Sequence, residues 1–156
     1  MTQFSVDPHR LEELLIYTHN FGKQMIEGHG EFFPFGAVID TSEKMICVGG
    51  SNGDEHPPAQ EIAKILMESF QRQFSEGSII AAALAANVNI PGEFNPPYPD
   101  GIRTTIECRG FARNIYLPYK MSGGGLLGKL TGRSRKVKYA EMIPVDIDPY
   151  LCPTKM

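Results

Sequence analysis

Two stretches of this chain repeat their apolar residues every three or four positions, and each is bounded by residues that start and stop helices. Asp7-Pro8 opens the first: Asp accepts from an orphan amide, and Pro gives up an N–H that had no partner. Leu11, Leu14, Leu15, Thr18, Phe21 and Met25 then predict one buried face of a helix running to about Glu27, with Gly28 as its stop. The second opens at Pro57-Pro58, buries Ala59, Ile62, Ala63, Leu66, Phe70 and Phe74, and stops at Gly77, the residue type that tolerates a left-handed cap. Its opposite face carries Glu61, Lys64, Glu68 and Arg72 at mutually supportive spacings and reads as solvated.

Two amphipathic helices need a further layer to pack on, and the segments between and after them supply strands. Residues 35–40 and 44–49 predict a hairpin around Thr41-Ser42-Glu43. Residues 78–90, rich in small apolar side chains, predict a central strand covered on both faces. Ile102, Thr104, Ile106 and Cys108 alternate with Arg103, Thr105, Glu107 and Arg109, a half-buried strand with one wet face. Residues 111–119 form its partner beyond Gly110, and 137–143 supply another strand after a glycine-rich loop. The order α-β-β-α-β-β-β, with a last short strand, predicts an α+β fold: an antiparallel sheet of about five or six strands with two helices packed on one side. A chain of 156 residues forms one domain of this kind over 1–156 and buries about 70% of its unfolded surface. The order resembles the roadblock and profilin-like architecture, which implies a sheet flanked by helices and no particular activity. The strings Phe32-Phe33-Pro34-Phe35-Gly36-Ala37-Val38, Leu117-Pro118-Tyr119 and Tyr139-Ala140-Glu141 also resemble a loosely defined set of small bacterial proteins of unknown role. That resemblance implies no activity and no functional residue.

Charge is distributed unevenly. Residues 103–139 hold nine basic residues, Arg103, Arg109, Arg113, Lys120, Lys129, Arg133, Arg135, Lys136 and Lys138, against the single acid Glu107, a local charge of +8 in a chain whose net charge is −3. The rest is therefore −11, so a positive region on an acidic molecule steers an anionic partner while the remainder repels indiscriminate polyanion binding. Gly123-Gly124-Gly125-Leu126-Leu127-Gly128-Lys129 matches the spacing of a phosphate loop, but Leu130 follows where Ser or Thr would hold magnesium, and no long periodic helix comes next. The basic run 129–138 contains no aromatic residue on which a base would stack, which makes nucleic acid the weaker partner. The proline-rich loop 91–101 presents Phe94 and Tyr98 at low entropic cost.

Metal and thiol chemistry find little support. His9 and His19 stand about 15 Å apart along a helix, too far to share an ion. His29 and His56 read as exposed turn residues, so no metal site and no cofactor are expected. Cys47, Cys108 and Cys152 are odd in number and lack a CxxC, and the first two lie in apolar alternating runs where small core residues are expected. No run approaches the length of a membrane span, and Met1-Thr2-Gln3-Phe4-Ser5 lacks the basic-then-apolar pattern of a secretory signal, so a cytoplasmic location is expected.

Two function classes follow. The first is a non-enzymatic adaptor or inhibitor, of the kind an immunity partner of a toxin represents, with no catalytic residue. It would bind an acidic protein surface, or a second copy of itself, through Lys129, Arg133, Arg135, Lys136, Lys138, Phe94 and Tyr98. The second is a regulator or enzyme binding a nucleotide, phosphate or nucleic acid through the glycine-rich loop 123–136.

Overall fold

The computed structural model describes residues 6–49, 58–122 and 136–152. Its elements run α1 (Pro8–His29), β1 (Phe35–Asp40), β2 (Met45–Gly49), α2 (Ala59–Glu76), β3 (Ile79–Asn89), a 3-10 turn (Gly92–Phe94), β4 (Asp100–Cys108), β5 (Phe111–Ser122), β6 (Lys136–Tyr139) and β7 (Ile143–Asp146). The strands form one antiparallel sheet in the order β2-β1-β3-β4-β5-β6, with β7 also paired to β5. The fold is α+β, in the order that the sequence predicts.

Asp7 caps α1 by accepting from the His9 amide at 2.9 Å. The helix runs through Gly28 and stops where Gly30 takes the left-handed conformation, φ 80°, and donates its amide to the Ile26 carbonyl. Its buried line is Leu11, Leu14, Thr18, Gly22 and Ile26, rotated from the predicted face, so that Phe21 is 36% exposed. Gly22 makes the difference: a Cβ there would sit 3.0 Å from Ile102 Cδ1, so the bare backbone lets α1 lie close against β4. α2 buries Ile62, Leu66 and Phe70 and ends at Gly77, φ 75°. Phe70 lies over Gly36, where a Cβ would meet its ring at 2.7 Å and the Ala83 carbonyl oxygen at 2.5 Å.

The helices lie on opposite faces of the sheet, not both on one side as the sequence predicts. Ala81, Ala83 and Ala85 of β3 pack with Leu14 and Ile26 of α1, whereas Ala82 and Leu84 pack with Ile62, Leu66 and Phe70 of α2. Side chains alternate across a strand, so the two helices cover opposite faces. Two helix layers must approach β3, which explains its run of small residues.

The strand expected over 137–143 is two strands lying end to end along the outer side of β5. Tyr139 pairs with Tyr119 and Ile143 with Tyr116, a register step of one residue. The Ala140 amide bonds the Pro118 carbonyl at 3.0 Å across the break, and Pro144, in a non-hydrogen-bonded pair with Ile115, turns its nitrogen, which bears no N–H, away from β5.

Candidate docking face

On the face opposite α1, α2 covers β1 and β3, leaving β4, β5 and β6 to other cover. β4 is closed over by the turn at residues 148–152. Glu107, 0% exposed, accepts from the amides of Tyr150 at 3.0 Å, Leu151 at 3.0 Å and Cys152 at 2.9 Å. Burial pushes the Glu107 carboxyl above its ordinary value, and the three amides pull it partly back. The Tyr150 hydroxyl donates to Thr105 Oγ1 at 2.9 Å, Thr105 donates to Asn114 Oδ1 at 2.6 Å, and Leu151 enters the α2 core. The wet face read onto β4 is thus corrected at Thr105 and Glu107, both fully buried, because chain more than 40 residues downstream seals them.

Beyond this seal the sheet face opens and turns basic. Cross-strand register sets Lys120 directly opposite Lys138 and Ser122 opposite Lys136, and all three lysines are exposed. Alternation sends Val137 and Tyr139 to the α1 side, where the Tyr139 hydroxyl donates to Glu27 at 2.6 Å and the Lys23 ammonium sits 4.9 Å from the Tyr139 ring centroid. No carboxylate among the described residues lies within ion-pair distance of Lys120, Lys136 or Lys138. The other basic residues of this segment are placed differently: Arg113 pairs with Asp146 at 2.7 Å, Arg103 is half-buried, and Arg109 is at the far end of β4.

Of the predicted contact residues, Lys136 and Lys138 stand together on this face. Phe94 is half-buried, its ring 5.7 Å from that of Tyr116, and Tyr98 is half-buried as well. Lys129, Arg133 and Arg135, with nearly all of the glycine-rich loop, lie outside the described residues. Sequence reading singles out Lys136 and Lys138 but not Lys120, whose signal is its position in β5 opposite Lys138.

A separate cleft of about 440 Å³ at the β4–β5 turn is lined by Cys108, Arg109, Phe111, Ile147, Pro149 and Cys152 among others. Burial, then the nearby Glu107 and Cys108, raises the Cys152 thiol, which keeps it protonated and a poor nucleophile at neutral pH. Cys108 is buried as expected, but Cys47 is exposed because β2 is an edge strand. His9 and His29 are exposed, His56 lies outside the described residues, and His19 is buried on α1. Burial lowers His19 to about 4, and its Nε2 has no hydrogen-bond partner among the described residues. Among the described residues no cluster of His, Cys, Asp or Glu is arranged to hold a metal ion, and no helix is long and apolar enough to cross a membrane.

No family model, no curated protein and no solved structure matches this chain.

Proposed function

We propose that this chain is a non-enzymatic protein-binding domain that docks an acidic protein surface through the basic hairpin β5–β6. The observation that carries the reading is the Lys120–Lys138 pair. Like charges directly opposite on a sheet are destabilising, and no acid among the described residues pairs with these two to offset the cost. An acidic partner would supply the missing counter-charge. In the sequence, Lys129, Arg133 and Arg135 lie between Ser122 and Lys136, so the segment that joins the two strands is itself basic. Phe94 rests on Tyr116, so its ring is partly committed to packing, which disfavours base stacking.

The test compares binding of the full chain to polyglutamate and to mixed-sequence single-stranded DNA over a range of salt. Exposed charges act mainly on encounter and are screened beyond about 8 Å at physiological ionic strength. Binding to polyglutamate should weaken with salt and be lost when Lys120, Lys136 and Lys138 are all replaced by Ser. Tighter binding to DNA than to polyglutamate, with a steep salt dependence, would overturn the reading in favour of nucleic acid. A rise in melting temperature with a nucleotide would overturn it in favour of the glycine-rich loop.

A further inference from the structure

The two edges of the sheet are built differently. The outer edge made by β6 and β7 carries Lys136, Lys138 and Pro144, residue types that discourage a further strand from pairing. The opposite edge, β2, reads Met45-Ile46-Cys47-Val48-Gly49, with no charge and no proline. Nothing among the described residues pairs with it on the side away from β1.

Which hydrogen-bonding groups of β2 point away from β1 follows from its register. The Asp40 amide donates to the Lys44 carbonyl at 2.9 Å, which makes that opposed pair a hydrogen-bonded one. Hydrogen-bonded and non-bonded pairs alternate along an antiparallel ladder, so Ile46 and Val48 point their backbone groups at β1. Met45, Cys47 and Gly49 point theirs outward. These three are the two ends and the centre of the strand, so β2 is complementary to itself: an antiparallel copy centred on Cys47 sets Met45 opposite Gly49, Cys47 opposite Cys47 and Gly49 opposite Met45. Every outward N–H and C=O then has a partner.

Apolar side chains flank this edge on both faces. On the α1 side Cys47 lies beside Tyr17, whose ring stacks 6.1 Å from that of exposed Phe21. On the other side Ile46, 41% exposed, would meet Val48 of the second copy in a close β-branched pair.

We infer that the chain forms a symmetric homodimer through antiparallel β2–β2 pairing centred on Cys47, joining the two sheets into one. The partner is a second copy because the uncharged edge, its outward groups and its flanking apolar side chains are all self-complementary. The β6 edge would instead bring lysines against lysines.

Sedimentation equilibrium of the full chain should give twice the 17.3 kDa chain mass. Hydrogen-bonded antiparallel pairs place Cα atoms about 5.5 Å apart, inside the span of a disulfide, so mild oxidation should cross-link the dimer through Cys47. Cys47→Ser should stay dimeric and lose the cross-link. Cys47→Pro removes only an outward N–H, leaving the β1 ladder whole, and should be a folded monomer. Cys47→Lys, which opposes two like charges, should also be monomeric. A parent that sediments as a monomer at its highest soluble concentration would refute dimerisation. A dimer that survives both Cys47→Pro and Cys47→Lys would refute the β2 interface.

Discussion

Replacing Glu107 by Ala removes the acceptor that holds the turn at 148–152 against β4. The carboxylate takes three successive amides, and those of Leu151 and Cys152 are buried. A buried donor stripped of its acceptor costs about 1–3 kcal/mol, so two such amides put the loss at about 2–6 kcal/mol. The Tyr150 amide is only partly buried and recovers water. Glu107→Gln is a gentler change. Its carbonyl oxygen at the Oε1 position still accepts from Leu151 and Cys152, while the Tyr150 amide loses its shorter bond, to Oε2 at 3.0 Å, to the NH2 group and keeps the longer one, to Oε1 at 3.2 Å. One hydrogen bond is lost, at about 1 kcal/mol, and the desolvation of a buried charge is relieved. Urea denaturation of parent, Glu107→Gln and Glu107→Ala should therefore rank them in that order or with the first two level, and hydrogen exchange at residues 150–152 should rise most in the Ala variant. A Glu107→Ala midpoint within error of the parent would show that the turn is not held by this carboxylate. Because the folded carboxyl is raised, its contribution is complete below the unfolded value of 4.5 and is lost as pH rises through the folded value. The Gln variant should lack that slope.

His19 contributes with the opposite sign. Its pKa falls from 6.5 to about 4 on folding, so stability is complete above pH 6.5 and is lost as pH drops toward 4, by roughly 3 kcal/mol; denaturant midpoints of His19→Phe should be flatter across that range than the parent's. Leu14→Ala and Leu66→Ala, at 0% and 1% exposure on the two opposite cores, should each cost about 2–5 kcal/mol in chemical denaturation. Lys138→Glu converts a like-charge pair into an opposite one, so thermal melting should show a gain of up to about 1 kcal/mol while binding to polyglutamate weakens.

Both helices and nearly every strand were legible because their signals are local: Asp7-Pro8 and Gly77 mark ends, the small apolar run from 79 marks a strand covered on both faces, and the run from 102 alternates. What escaped is what depends on distant chain. Gly22 carries no hydropathy, so only the approach of Ile102 reveals it as a core position. Glu107 reads as wet until residues 150–152 close over it, and Cys47 reads as buried until β2 proves to be the sheet's edge. Which face each helix takes is set by how the connections cross the sheet, which periodicity along one element does not encode. Of the docking face, Lys136 and Lys138 follow from sequence, whereas Lys120 needs the strand register.

The seal over β4 also imposes an order on synthesis. Glu107 and the Leu151 amide that it binds are 44 residues apart in the chain. At about 5–20 residues per second, a ribosome needs roughly 2–9 s to deliver the second after the first. During that interval the hydrophobic face of α2 lacks Leu151, one of its fully buried members, and the Glu107 carboxylate lacks its amides. A nascent chain halted between these two points displays an incomplete core, and is the form a chaperone would meet.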